Sequence, residues 1–131
     1  MNIIENLNSD QSNQLYELYK NVWFTQGRKL IDVENMLSNS YLTLGIIDND
    51  ELIGFCRAIS DGVYKAFLFD VIVKDSKQGH GIGKLLIETA LAHEKLKNVN
   101  HIELYCPESI SPFYERLGFE IRTSLLMRNR K

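Results

Sequence analysis

The amino-acid sequence predicts a mixed α/β domain in which an antiparallel meander leads into a parallel strand–helix–strand unit. Apolar residues recur every three to four positions in some segments and form short, β-rich runs in others. In the second half, a strand-like run, a glycine-rich loop, a helical segment and another strand-like run follow in that order. Such a unit is right-handed, and its two strands are parallel.

Size and composition predict one domain over residues 1–131. The chain has 131 residues, of which 44% are hydrophobic, and a chain of this size buries roughly two-thirds of its unfolded surface. Fifteen basic and 17 acidic residues give a formal charge of −2. That balance disfavours a nucleic-acid binder that relies on a strongly positive field, although a local basic patch would survive the average.

We expect a cytoplasmic protein with no membrane segment and no metal. The N-terminus lacks a basic region followed by an apolar run, so it does not resemble a secretory signal. No apolar stretch reaches the roughly 18–20 residues that cross a bilayer. Cys56 and Cys106 stand singly in apolar runs, which favours reduced core thiols over a metal site or a redox pair.

The first half predicts two helices and a three-stranded meander. Apolar periodicity indicates a helix over residues 10–23, entered through Ser9 or Asp10. The remaining predicted elements are a strand at 3–7, a helix at 31–39, and strands at 41–47, 52–59 and 63–73. Polar tetrad 48–51 and Asp61-Gly62 are the turn signals between these strands.

The second half predicts two helices and two more strands. One helix runs from Ile82 to about Lys97, and a strand parallel to 63–73 follows at His101–Cys106. In the next short helix Ser111 is the expected N-cap, Pro112 takes the first helical position, and Gly118 is the C′ glycine. A last strand at 119–127 is expected to close the sheet.

The most informative stretch is the loop Gln78-Gly79-His80-Gly81-Ile82-Gly83-Lys84. It lies where a strand ends and a helix begins, so unpaired N–H groups and the positive end of the helix dipole favour an anion. Glycines let a phosphate approach without a Cβ in the way, although a tight turn with no ligand is the alternative. Lys84 in the first turn is easier to understand if an anion binds there.

The spacing excludes two familiar phosphate loops. A P-loop requires Ser or Thr after Gly-Lys, but Leu85 follows Gly83-Lys84, and Gln78 stands where the first glycine should be. The dinucleotide fingerprint is GxGxxG, whereas this loop is GxGxG. The sequence therefore favours a phosphate loop of a third kind.

This loop resembles the Q/R-x-x-G-x-G/A signature of the GNAT superfamily of N-acetyltransferases. Residues 69–73 resemble the family's fourth strand, and residues 111–119 resemble its C-terminal FYxxxGF motif. The resemblance covers about residues 50–128. It implies the GNAT-type acyl-CoA N-acyltransferase fold, a central mixed sheet with splayed parallel strands flanked by helices.

The resemblance also implies an enzyme that transfers an acetyl group from acetyl-CoA directly to a primary amine. The family's loop binds the cofactor pyrophosphate, and its fourth strand offers backbone groups to the pantetheine arm and the thioester carbonyl. Many relatives have an Asn after the fifth strand; here Ser109 is the expected substitute. The cofactor contacts implied are Val71, Ile72, Val73, Gln78, Gly79, His80, Gly81, Ile82, Gly83, Lys84 and Ser109.

Two residues are candidates for catalysis by the same resemblance. Tyr114 is expected to protonate the leaving thiolate, and a half-buried tyrosine bonded elsewhere is the alternative. Asp70 is a candidate general base, directly or through water, unless strand alternation directs it into a turn or salt bridge. Arg28 lies in a region that shapes the acceptor site in this family, although a surface arginine is the default interpretation.

The acceptor is left open as a small molecule, a peptide or a protein. A non-catalytic CoA-binding sensor or scaffold is the alternative function, and intact Tyr114 and Asp70 favour the enzyme. The near-neutral charge gives no support to a transferase that acts on aminoacyl-tRNA. A homodimer is also an open expectation, with residues 119–127 as a candidate edge.

Overall fold

A five-stranded mixed sheet with helices on both faces forms the structure. The computed structural model describes all 131 residues, Met1 to Lys131. The elements are β1 (Asn2–Ile4), α1 (Ser9–Lys20), α2 (Leu30–Ser38), β2 (Leu42–Asp48), β3 (Glu51–Ser60), β4 (Lys65–Val73), α3 (Ile82–Ala92), β5 (His101–Leu104) and α4 (Ser111–Glu115). Short 3-10 turns at Asp75–Lys77 and Glu108–Ile110 precede α3 and α4. None of the helices is long and apolar enough to cross a membrane.

The strands lie in the order β1-β2-β3-β4-β5. The first three pairs are antiparallel, whereas β4 and β5 are parallel. Pairing between the parallel strands begins at Lys65 with His101 and stops at Leu68 with Leu104. Residues 69–73 of β4 therefore have no partner on β5. The predicted mixed sheet with splayed parallel strands is confirmed.

The sheet separates two hydrophobic clusters. On one face, α3 buries Leu86, Ile87 and Ala90 against β2, β3 and β4. On the other face, α1 and α2 pack Leu15, Tyr19 and Val33 against Phe55 and Ile72. Each helix thus buries one apolar face, as the periodicity of its sequence requires. No residue of β5 belongs to the cluster on this second face.

Helix α3 approaches the sheet most closely at Gly54 of β3. A Cβ at this glycine would lie 2.9 Å from Cγ2 of Ile82 and 3.3 Å from a methyl group of Leu86. Ile82 is the first residue of α3, so this contact sets the position of the glycine loop that precedes it. Gly54 is needed for close approach, and the sequence alone did not indicate this role.

Two helices differ in extent from the prediction. Asn8, rather than Ser9 or Asp10, caps α1 in a capping box with Gln11, and the helix ends at Lys20. Helix α3 ends at Ala92 because His93 adopts an extended conformation with φ −65° and ψ 143°. The buried Leu96 continues the apolar pattern within the turns that follow, which explains why the sequence predicted a longer helix.

Helix α4 has a different start from the one predicted and the expected end. Ser111 does not cap it; the N-cap is Ile110, and the Ser111 hydroxyl donates to the carbonyl of Glu108 at 2.8 Å. At the other end, the N–H of Phe119 donates to the Tyr114 carbonyl and that of Gly118 to the Glu115 carbonyl, a Schellman pair. Gly118 has φ +94°. Its predicted C′ position is confirmed.

The predicted last strand at 119–127 is wrong. The sheet ends at β5, and residues 119–131 belong to no helix or strand. Ile121, Leu125 and Met127 are 69%, 86% and 87% exposed. Alternation of side chains is compatible with a strand, but a strand forms only where a neighbour supplies hydrogen bonds. This segment has no such neighbour in the chain.

We expect Gly54→Ala to lower the free energy of unfolding by about 1–3 kcal/mol, because the added methyl group overpacks the contact with Ile82. Leucine at position 82 has the volume of isoleucine but lacks its Cγ2 methyl group. The double variant Gly54→Ala/Ile82→Leu should therefore recover part of the lost free energy of unfolding. Urea denaturation of all four proteins gives the coupling between the two sites. Strictly additive effects would show that this contact does not limit the approach of α3.

Candidate active site

The loop before α3 presents a run of unpaired backbone N–H groups. The first hydrogen bond of the helix runs from the N–H of Leu85 to the carbonyl of Gly81, at 3.0 Å. The N–H groups of residues 79–84 donate to no carbonyl of the surrounding turns and loops. No side chain caps the helix. Six consecutive donors therefore have no acceptor within the chain, at the positive end of a helix of 11 residues.

The glycines of this loop have two different roles. Gly79 and Gly81 have φ +82° and +80°, and a Cβ at either would meet no atom within 4 Å. These two are required by the left-handed backbone, and the space above them is open. Gly83 lies inside the helix, where a Cβ would approach the ring of Phe113 at 3.3 Å. Gly83 therefore lets the motif of α4 pack against the loop.

Side chains hold this loop against the end of β4. The amide nitrogen of Gln78 donates to the carbonyl of Val73 at 3.2 Å and to the carboxylate of Asp75 at 3.3 Å. His80 and Lys84 do not share this role, and neither takes part in a salt bridge within the chain. The charge of Lys84 therefore remains available to an anion bound at the loop.

A β-bulge interrupts β4 opposite Cys56 of β3. Phe55 pairs with Ile72 and Arg57 with Phe69, so Cys56 lies opposite two residues of β4. One of these two is Asp70, whose φ is +56°. A left-handed aspartate within a strand is uncommon and persists only where surrounding contacts hold it.

The carboxylate of Asp70 is held by three side chains from three parts of the chain. Its Oδ2 accepts from the Tyr19 hydroxyl at 3.0 Å, from Nη1 of Arg28 at 2.7 Å and from Nε of Arg57 at 2.8 Å. Its Oδ1 accepts from Nη2 of Arg28 at 3.2 Å. The side chain of Asp70 is 4% exposed. The bulge turns the carboxylate onto the face of the sheet that carries α1 and α2.

These contacts determine the ionisation of the cluster. Burial by itself would raise the pKa of Asp70, but hydrogen bonds from Arg28 and Arg57 outweigh it and lower that pKa. Burial, followed by the charge of Asp70, raises the pKa of Tyr19 well above its usual value. Tyr19 therefore stays protonated and donates. The structure favours the salt-bridge alternative for Asp70, because a carboxylate with a lowered pKa is a poor proton acceptor.

Tyr114 occupies a half-buried position beside the other aromatic residues of its motif. Its ring makes edge contacts with Phe113 and Phe119, with centroids 5.0 Å and 5.9 Å apart. Burial raises the pKa of Tyr114 to about 12, with smaller effects from Cys106 and Cys56. No buried polar side-chain atom lacks a partner, so the hydroxyl, which bonds to no protein group, lies at an accessible surface.

Contacts join three of the predicted regions, namely the glycine loop, the end of β4 and the motif of α4. A Cβ at Gly83 would lie 3.8 Å from Cγ2 of Val73, and Phe113 packs between the loop and Tyr114. Ser109 is exposed in the 3-10 turn before α4 and makes no hydrogen bond to this group. No group of three or more His, Cys, Asp or Glu side chains converges in the structure.

Sequence reasoning missed Arg57 and Tyr19. Arg57 is the single charged residue within an otherwise apolar strand, 52–59, and a charge at such a position signals a buried partner. Tyr19 lies on the apolar face of α1, where its ring packs edge-on to Phe55 at 6.4 Å between centroids. Nothing in its helical spacing indicated that its hydroxyl would reach Asp70.

Comparison with known proteins places residues 39–121 in a family model described as an acetyltransferase (GNAT) domain. An uncharacterized N-acetyltransferase, ycf52, from Pyropia yezoensis is 32% identical over 120 residues, which are 86% of this chain and 68% of that protein. By contrast, this chain spans only 27% of a GCN5-related N-acetyltransferase 2 from Arabidopsis thaliana, to which it is 37% identical over 70 residues. Plant relatives named as chloroplastic are among the matches, so the cytoplasmic location stays a prediction.

Solved structures share the fold over nearly the whole chain. A GNAT-family protein from Streptococcus pneumoniae, SP0256, has a TM-score of 0.81 and 28% identity, covering 99% of this chain and 98% of that one. The protein AAC(6')-Iy, solved with the bisubstrate analogue CoA-S-monomethyl-acetylneamine, has a TM-score of 0.78 at 20% identity, covering 99% and 97%. At 20% identity, the similarity to AAC(6')-Iy shows a shared fold and nothing more.

We expect Asp70→Asn to lower the free energy of unfolding by about 3–5 kcal/mol, since it leaves two partly buried arginines without their counter-ion. The folded-state pKa of Asp70 is lowered, so its contribution is present above the unfolded pKa, about 3.9. It is lost as the pH falls through the folded-state value. Denaturant unfolding between neutral pH and acid measures both effects.

Asp50→Asn is the matched control for this prediction. Asp50 also has a positive φ, +64°, but it is exposed at the β2–β3 turn and forms no ion pair. Its replacement should leave stability nearly unchanged at every pH. If Asp70→Asn were no more destabilising than Asp50→Asn, the cluster would not stabilise the fold.

Proposed function

Because the chain belongs to the GNAT family of acetyltransferases, we propose that it transfers the acetyl group of acetyl-CoA directly to a primary amine of a small molecule, peptide or protein. The observation that carries the proposal is the run of six free N–H groups over residues 79–84 at the start of α3. Such a run is suited to a pyrophosphate and has no evident structural purpose of its own.

The residues present fit this cofactor. Open space above Gly79 and Gly81 would admit phosphate oxygens, and the unpaired charge of Lys84 adds attraction. Gln78 tethers the loop to the end of β4. Residues 78–84 would therefore hold the pyrophosphate mainly by backbone donors, which explains how a chain with a formal charge of −2 can favour an anion at one place.

Residues Val71 to Val73 would hold the pantetheine arm. They lie on β4 beyond the last pair with β5, Leu68 with Leu104, so one edge of this segment has no strand partner. An extended ligand with amide groups can pair with such an edge as an added strand does. Backbone N–H groups near Val71 and Ile72 would also polarise the thioester carbonyl. Ser109, exposed on the turn after β5, is a further proposed contact.

Tyr114 is the proposed general acid. Acetyl-CoA supplies an activated acetyl thioester, and the Tyr114 hydroxyl holds the proton that the departing thiolate needs. A pKa raised to about 12 keeps this hydroxyl protonated at neutral pH. Transfer to a thiolate whose parent thiol has a pKa of roughly 8.5 is uphill, so it depends on close positioning of the tyrosine and the sulfur.

Deprotonation of the amine is assigned to solvent rather than to Asp70. The Asp70 carboxylate is engaged by Arg28, Arg57 and Tyr19, and its pKa is lowered. Asp70 is therefore a poor proton acceptor, and water is proposed to take the proton of the amine instead.

A non-catalytic CoA-binding module is the alternative, since the loop alone would serve both functions. Tyr114 favours the enzyme, because its hydroxyl is accessible and bonded to no protein group. Titration with acetyl-CoA followed by a thiol-release assay on a panel of amines separates the two. Thermal stabilisation without thiol release would support the module, and no stabilisation at all would contradict both.

Gly81→Ala is expected to weaken acetyl-CoA binding by roughly tenfold or more, because its Cβ enters the open space above the loop and strains a residue at positive φ. Gly27→Ala is the matched control. Gly27 has φ +84° with no atom within 4 Å of a Cβ, so it should lose similar stability while binding the cofactor normally. Calorimetric titration measures both, and equal affinities would show that the loop is only a turn.

Tyr114→Phe is expected to lower kcat by roughly 10²- to 10⁴-fold while leaving acetyl-CoA affinity nearly unchanged, since it removes a proton donor without altering the packing. Tyr64→Phe serves as the control, because Tyr64 is 65% exposed. Steady-state kinetics and cofactor titration on both variants separate catalysis from binding. Unchanged turnover in Tyr114→Phe would remove this tyrosine from the mechanism.

A further inference from the structure

One positive charge is left over on the face of the sheet beside the proposed reaction site. Arg28 and Arg57 share a single buried carboxylate, Asp70, whose side chain is 4% exposed. The Tyr19 hydroxyl donates to the same carboxylate and stays protonated. The cluster therefore has a net charge of about +1 at neutral pH, and no other acidic side chain forms a salt bridge with either arginine.

Arg57 is the arginine whose terminal donors are free. Its Nε donates to Asp70, whereas Nη1 and Nη2 form no hydrogen bond within the protein. Its side chain is 12% exposed, and no buried polar side-chain atom lacks a partner. Both Nη atoms therefore reach accessible space. Arg28 differs, because both of its terminal nitrogens donate to Asp70.

Aromatic rings border this free guanidinium on one side. The guanidinium lies 5.0 Å from the ring centroid of Phe69. Phe69 stacks on Phe67 at 6.2 Å, and Phe67 stacks on Tyr105 at 5.6 Å. This aromatic row, Phe69-Phe67-Tyr105, runs from β4 to the residue after β5, and none of its members belongs to the cluster that packs against α1 and α2. Tyr105 is 56% exposed.

The aromatic row and the guanidinium lie close to the segment of β4 that is proposed to hold the thioester. Phe69 is the first residue of β4 beyond the last pair with β5, and it precedes the bulge at Asp70. Residues 71–73, the proposed pantetheine contacts, follow directly. An acceptor on this face would therefore bring its amine next to the segment that holds the thioester.

We propose that Arg57 binds a carboxylate of the acceptor, so that the substrate is a small, amino-acid-like primary amine whose apolar part contacts the aromatic row. A guanidinium with two free terminal nitrogens matches a carboxylate in a bidentate pair. The surplus of one charge corresponds to the one negative charge of a carboxylate, whereas a phosphate near −2 would stay unbalanced. This inference deepens the proposed acetyl transfer and rests on it.

Asp70 acts in this arrangement as a positioning residue. By holding Nε of Arg57 at 2.8 Å, it directs the terminal nitrogens of that guanidinium outward. Its left-handed backbone, φ +56°, places the carboxylate where Arg28 and Arg57 both reach it. A strained residue at a bulge is found where geometry serves a site.

The test uses pairs of amines that differ only in the carboxylate. L-phenylalanine is compared with phenethylamine, L-tyrosine with tyramine, L-leucine with isoamylamine, and L-lysine with cadaverine. The ratio of kcat/KM within a pair measures recognition of the carboxylate. For at least one pair we expect the acid-bearing amine to be preferred by roughly 10- to 100-fold, the range of a charge-assisted bidentate contact.

Arg57→Gln and Arg57→Lys test the residue itself. Arg57→Gln leaves Arg28 and Asp70 as a neutral pair, so the fold should persist and the preference should fall to near unity. Arg57→Lys keeps the charge but not the two-pronged geometry, and an intermediate ratio is expected. Arg122→Gln removes an arginine that is 75% exposed and should leave the ratio unchanged.

Binding of the products supplies a second measurement that does not depend on turnover. Calorimetry compares N-acetyl-L-phenylalanine with N-acetylphenethylamine on the wild type and on Arg57→Gln. If no amine is acetylated but the acid-bearing product binds through Arg57, the proposed activity fails, and only the carboxylate-binding role of Arg57 is supported. Equal use or binding of both members of every pair, or a preference that survives in Arg57→Gln, would overturn the inference.

Discussion

The carboxylate of Asp70 is the interaction on which the rest of the site depends. It joins α1 through Tyr19, the connection before α2 through Arg28, and β3 through Arg57. A buried aspartate with a left-handed backbone would be unfavourable without these donors, and two partly buried arginines would be unfavourable without the carboxylate. Each group offsets the cost of the others, so the helices, the bulge and the accessible guanidinium form one unit.

Strand β4 separates the two proposed substrates. Beyond Leu68 its edge has no partner on β5, which leaves backbone groups free for an extended ligand. At the same level the bulge turns Asp70 toward α1 and α2, and Arg57 and the aromatic row lie on that face. The end of pairing with β5 thus leaves a backbone edge for the proposed cofactor, and the bulge places a charged group beside the aromatic row for the proposed acceptor. Both lie within a few residues of each other along the chain.

Predictions from the sequence were accurate where local rules dominate. The glycine loop lies at a helix start because left-handed residues and unpaired N–H groups follow from local backbone conformation, as Gly79 and Gly81 show. The C′ position of Gly118 follows from the same kind of rule. The predicted N-cap at Ser111 was wrong because its hydroxyl bonds to the Glu108 carbonyl instead. The predicted end of α3 was wrong because buried Leu96 continues the apolar pattern past the last helical residue.

The sequence by itself determined the class of fold, the family and the loop, because periodicity, glycine spacing and a short motif act over a few residues. Tertiary structure decided the partners of Asp70, which lie 13, 42 and 51 residues away along the chain. It also decided that residues 119–127 form no strand, because a strand depends on a neighbour that no local pattern can provide. Arg57 gained its role only when strand register and a single-residue bulge brought a distant carboxylate to its Nε. The spacing of residues in the sequence carries no information about a tertiary contact of this kind.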